Sequence, residues 1–162
     1  KLSFYGAAQQ VSGSCFLLES ESTKVLIDCG LFQCPKVCEA ENHDPFPFHP
    51  QEVASVIVTH AHTDHTGRIP KLFKEGFLGK VHSTPPTKEL SELMLEDSLG
   101  LMIKEAERDH DDSLLFEEKH VKQTFENWET HNYQHEFIIG DFHIRLLDAG
   151  HVLGSSMVEI LF

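Results

Sequence analysis

His60-Ala61-His62-Thr63-Asp64-His65 places three imidazoles and a carboxylate within six residues, directly after the run Val53-Ala54-Ser55-Val56-Ile57-Val58-Thr59. That run is short, largely apolar and rich in β-branched residues, the composition of a strand buried on both faces. Alternate side chains of an extended segment share a face, so His60 and His62 can converge on one ion. Asp64 and His65 follow where the chain turns, and address a second position. Imidazole nitrogen and carboxylate oxygen suit zinc, and also iron or manganese. Surface or helix-capping histidines account for a lone imidazole but not for this density. The expectation is a metal site at a strand-to-helix junction.

Working outward, residues 66–76 carry a helical pattern in which Pro70 fits only the first turn, so a helix is expected from near Thr66 to Gly76. Arg68, Lys71, Lys74 and Lys80 face Glu75 alone in this stretch, a basic cluster that is either a solvated helix face or a surface that guides a substrate backbone. Upstream, residues 2–5, 15–19 and 24–28 read as three short strands of a meander, and the proline-dense residues 31–50 as an ordered loop. Downstream, residues 80–83 read as a strand, 85–108 as a long helix entered through Pro85 and Pro86, and 114–128 as a second helix. Residues 136–139 and 142–147 flank Gly140-Asp141 as a hairpin, and residues 156–162 form a last strand.

The chain has 162 residues, 40% of them hydrophobic and 24% charged, enough for one globular domain or part of one. No apolar run reaches membrane-spanning length and no secretory leader is visible, so no membrane partner is expected. Cys15, Cys29, Cys34 and Cys38 are too few for a disulfide scaffold, which favours a reducing, cytoplasmic setting with free or buried thiols. Cys34 and Cys38 lack a second ligand pair at zinc-finger spacing. Net charge is −13, which argues against a polyanionic partner on average. The acidity is concentrated in residues 88–118, away from the basic cluster. His43, His49, His82, His110, His120, His131, His135 and His143 are scattered and read as ordinary surface or core histidines.

The HAHTDH motif after a hydrophobic strand resembles the HxHxDH signature of the metallo-β-lactamase superfamily. Four further passages resemble its β-CASP branch of nucleic-acid nucleases. They are Gly6-Ala7-Ala8-Gln9 with Val11-Ser12-Gly13-Ser14; Leu26-Ile27-Asp28-Cys29-Gly30-Leu31-Phe32-Gln33; residues 59–70, THAHTDHTGRIP; and residues 148–156, DAGHVLGSS. The match spans nearly the whole chain.

The resemblance implies the N-terminal portion of an α/β fold, the αββα sandwich of the metallo-β-lactamases, over residues 1–162. It implies that His60, His62 and His151 bind one zinc, that Asp64 and His65 bind a second, and that Asp28 fixes a ligand imidazole through a hydrogen bond. Gly150 and Gly154 are expected to let the backbone approach the site closely. The implied activity is hydrolysis of single-stranded RNA, with water activated between two ions roughly 3.5 to 4 Å apart and Asp64 orienting it or taking its proton. Arg68, Lys71 and Lys74 are expected to guide the RNA. The family's bridging aspartate, inserted domain and later histidines are absent from these residues. The expectation is therefore an N-terminal piece that is inactive alone, holds its second ion weakly, and self-associates, as a homodimer or otherwise, to cover an exposed sheet. Two other readings stay open: a hydrolase of a small thioester or lactone, and a noncatalytic subunit of an RNA-processing complex.

Overall fold

In the computed structural model the apolar run after Val53 forms β4 (Ser55–Ile57), buried at every position, inside a six-stranded sheet. The structure describes residues 1–33, 37–110 and 113–162. β1 (Leu2–Phe4), β2 (Phe16–Glu19) and β3 (Lys24–Ile27) pair antiparallel as the expected meander. β3, β4, β5 (Lys80–Ser83) and β6 (Trp128–Thr130) then continue in parallel, so the sheet order follows the chain. A second, antiparallel sheet is built from β7 (Glu136–Ile139), β8 (Phe142–Asp148) and β9 (Ser156–Leu161).

Strand alternation sorts the side chains into two cores. Leu17, Leu26, Val56, Val81 and Trp128 point to one face, where they pack with Ile69, Leu72, Phe73 and Phe77 from the helical segment after the histidine motif. Val25 and Ile57 point to the other, against Ile139, Phe142, Ile144 and Leu146 of the second sheet. Helices, sheet and sheet are thus stacked as layers, the α/β sandwich that was expected. The 25-residue α4 (Pro85–Asp109) starts at its two prolines, and with α5 (Glu118–Glu126) encloses a third cluster around Leu95 and Phe116.

Three elements differ from the expectations. The helix expected over residues 66–76 is split into α2 (Thr63–Thr66) and α3 (Ile69–Lys74), because Pro70 has to lie in a first turn and forces a new helix start after Arg68. Residues 31–50 are not wholly loop, since they contain α1 (Val37–His43). The helix expected over 114–128 is confined to α5; Trp128 leaves it for β6, where its indole Nε1 donates to Ser83 Oγ at 2.8 Å. Cys15 and Cys29 are buried free thiols, while Cys34 and the Cys38 side chain lie outside the described residues.

Candidate metal centre

A short loop after β4 and the helix α2 carry the residues expected as ligands. His60 and His62 leave the strand, and Asp64 and His65 sit in α2, which opens one residue after His62. The loop is stitched to the neighbouring segments by main-chain bonds: Ser14 N donates to Asp64 O, Cys29 N to His65 O and Leu31 N to Thr63 O, at 2.9, 2.8 and 2.9 Å. Gly30 is obligatory here, because a Cβ would lie 1.6 Å from the Asp64 carbonyl oxygen. The passages around Ser14 and Gly30 therefore lie against the histidine motif as its backbone support.

His151 arrives from far along the chain, on the loop between β8 and β9. Ser155 Oγ accepts from its amide at 3.0 Å, and Ser156 N anchors the loop to Thr59 O at 2.8 Å. Gly154, at φ +84, brings its carbonyl to the start of α4, where Thr84 Oγ1 and Thr87 Oγ1 donate to it. A Cβ there would meet Thr87 N at 2.7 Å, so the close approach is to α4 and not to the imidazoles; Gly150 faces open space.

The result is a cluster of three nitrogens. His60 Nε2 lies 3.2 Å from His62 Nδ1, which lies 3.4 Å from His151 Nε2. Two nitrogens bound tetrahedrally at 2.0–2.1 Å stand about 3.3 Å apart, so the donor set fits one zinc-sized ion. Beside it, His65 Nε2 stands 3.6 Å from the Asp64 carboxylate, and the His60 and His65 ring centroids are 4.0 Å apart. Burial and the neighbouring His65, His62 and His151 rings push the His60 pKa down to about 4. Its lone pair is therefore available at neutral pH.

Asp28 organises both halves. It is buried, and at φ +60 it occupies the left-handed region that Asp tolerates better than most residues. Oδ1 accepts from Thr59 N at 2.8 Å; Oδ2 accepts from Thr59 Oγ1 at 2.8 Å and from His65 Nδ1 at 2.7 Å. A carboxylate cannot donate, so the Thr59 hydroxyl spends its proton on Asp28 and accepts from His60 Nδ1 at 3.0 Å. In their neutral forms both imidazoles therefore carry the proton on Nδ1 and turn Nε2 lone pairs toward the cluster. Burial opposes a charge on His65, but the Asp28 bond and charge outweigh it and hold its pKa above the ordinary value. Thr59 is the participant that residue-type reasoning overlooked, since a threonine at a strand end reads as β propensity.

The basic cluster is placed elsewhere. Arg68 is buried, with Nε on Gly30 O and its guanidinium 4.3 Å over the Phe32 ring. Lys71 is buried, and its ammonium donates to Asn42 O and Asp44 O and pairs with Glu75. Lys74 Nζ donates to Leu114 O and Leu115 O at 2.8 and 3.1 Å. Arg68, Lys71 and Lys74, expected to guide a substrate, thus direct donors to the protein's own carbonyls and fasten α3 to surrounding loops, with Arg68 and Lys71 buried and Lys74 exposed.

Residues 8–135 match the family model described as the metallo-beta-lactamase superfamily. Ribonuclease TTHA0252 of Thermus thermophilus is 40% identical over 95% of this chain and 33% of its own length. The transcription termination factor FttA of Methanosarcina mazei is 35% identical over 94% of this chain and 23% of its own length. The chain thus spans a quarter to a third of the curated relatives it matches. A solved metallo-beta-lactamase from Cronobacter sakazakii superposes with a TM-score of 0.59 at 20% identity, covering 97% of this chain and 55% of that one, a likeness of fold.

Proposed function

Because the chain belongs to the metallo-beta-lactamase superfamily, we propose that it carries the metal-binding portion of a zinc-dependent phosphodiester hydrolase of β-CASP type that acts on single-stranded RNA. The observation that carries this reading is the convergence of His60 Nε2, His62 Nδ1 and His151 Nε2 beside the Asp64–His65 pair. Relatives named as a ribonuclease and a transcription termination factor, aligned over almost all of these residues, favour RNA over a small thioester or lactone.

In this reading His60, His62 and His151 hold one zinc, and Asp64 with His65 Nε2 contributes to holding a second. When bound, such a pair supplies water acidified to a pKa of about 7 and positive charge against the phosphodiester oxygens. Asp64 stands at the edge of the cluster, where its carboxylate can orient that water or accept its proton. Asp28 and Thr59 touch no substrate; they hold His65 and His60 in the ligating tautomer. The overall charge of −13 makes the local cation charge important to RNA capture. Buried reduced Cys15 and Cys29 fit a cytoplasmic protein. Self-association would run through the open edge of β9, where Met157 and Leu161 are exposed.

The test uses the zinc-loaded full-length protein with 5′- and 3′-labelled single-stranded RNA beside a thioester, and His62→Ala as control. RNA cleavage that disappears in the variant is the expected result. Thioester turnover without RNA cleavage would overturn the reading.

A further inference from the structure

Among the described residues a second cluster also brings three metal-ligating groups together: His82, Glu129 and His131, whose ligand atoms all lie within 4.8 Å of one another. We propose that these three residues form a separate divalent-metal site, of a kind that takes zinc or another imidazole-favouring transition metal, at the edge of the six-stranded sheet.

Strand register creates the cluster. His82 in β5 and Glu129 in β6 are cross-strand partners, so their side chains share a face. His131 lies two residues beyond Glu129, on the same face by alternation, and its amide donates to Ser83 O at 2.8 Å. Ile57, the partner of His82 in β4, belongs to the core between the two sheets. An imidazole on that face is anomalous, because an apolar side chain would fill the position without needing a polar partner.

The donors are set for ligation. His82 Nδ1 is 3.0 Å from His131 Nε2, close to the separation of about 3.3 Å for two nitrogens on one tetrahedral ion. The His60 cluster, with spacings of 3.2 and 3.4 Å, is similar. Ser55 Oγ lies 3.2 Å from His82 Nε2, placed to accept its proton and leave the Nδ1 lone pair turned toward His131. The His131 ring is stacked on Phe137 of β7, with centroids 3.7 Å apart and planes 8° from parallel, which fixes its direction. Glu129 is exposed and, among the described residues, its carboxylate pairs with the Lys80 ammonium at 3.7 Å, a surface pair too weak to prevent it from turning to an ion. None of these residues belongs to the His60 site. An ion held here would tie β5 and β6 to each other and, through Phe137, to the second sheet.

Zinc content of the full chain after equilibrium dialysis, followed by the visible absorption of the cobalt(II)-substituted protein, tests the site. His131→Asn and Glu129→Gln alter half-buried and exposed side chains, and circular dichroism in chelator should show both variants folded. The expected result is one metal equivalent fewer in His131→Asn than in the parent, weaker binding in Glu129→Gln, and affinity about 10- to 100-fold lower in Ser55→Ala. Equal metal content in the parent and the folded His131→Asn variant would overturn the proposal.

Discussion

Replacing Asp28 by Asn changes one atom in a buried hub and should invert two imidazoles. Asn, like Asp, tolerates the left-handed backbone at φ +60, so the turn is kept. The Thr59 amide needs an acceptor and fixes the Asn carbonyl oxygen at the Oδ1 position. The amide NH2 then falls at the Oδ2 position, facing Thr59 Oγ1 and His65 Nδ1, which both now meet a donor. His65 must carry its proton on Nε2 instead. The Thr59 hydroxyl must turn its own proton toward His60 Nδ1, so His60 also becomes protonated on Nε2. Each inverted ring loses the lone pair that faces the metal. Loss of such a supporting contact weakens metal binding by about 10- to 100-fold, or about 1.4–2.8 kcal/mol for each ion. The fold should survive at a cost of about 1–3 kcal/mol, because charged hydrogen bonds become neutral ones. Zinc titration reports the affinities, and imidazole nitrogen NMR of the metal-free protein reports the tautomers. Unchanged affinity with Nδ1-protonated His60 and His65 in the variant would refute the relay.

Thr59→Val separates the two arms: His65 keeps its bond to Asp28, so nitrogen NMR should show only the His60 tautomer disturbed, with zinc weakened at the three-histidine position. Acid should destabilise the metal-free chain, because burial holds His60 and His82 near pKa 4 while unfolded histidines titrate near 6.5. The unfolded state takes up protons first, so chemical denaturation should show stability falling from pH 6.5 to about 4 and levelling below, by on the order of 3 kcal/mol per imidazole. His65 has the opposite sign: its contribution is complete below pH 6.5 and is lost as pH rises through its raised folded pKa. Lys71→Met removes two charge-assisted bonds to carbonyls and should cost about 3 kcal/mol in a denaturant melt, while the salt dependence of RNA binding stays as in the parent. Gly30→Ala drives a Cβ into the Asp64 carbonyl and should displace the motif loop, seen as lost zinc binding in dialysis.

The histidine motif was legible because its chemistry is local: a buried strand followed by alternating imidazoles specifies both the sheet position and the ligand spacing. Asp28 could be read as a support for the ligands, but the route from it through Thr59 to His60 depends on which hydroxyl proton is committed where, and that is fixed only in three dimensions. The basic cluster was harder to read for a related reason. Charge in a sequence is silent on burial, and Arg68 Nε and the Lys71 ammonium are buried against carbonyls from residues 30, 42 and 44, distant along the chain. β6 escaped notice because three residues carry no period, and the strand exists through its pairing with β5 and the Trp128–Ser83 bond. His82 and His131, read singly as ordinary histidines, meet only because that unforeseen strand sets their register.

The most direct measurement is the anomalous scattering of a zinc-loaded crystal at the zinc edge. A peak within about 2.0–2.1 Å of His60 Nε2, His62 Nδ1 and His151 Nε2, with further density between Asp64 and His65 Nε2, is the predicted result. Zinc found only outside these residues, in a protein whose fold is intact, would contradict it.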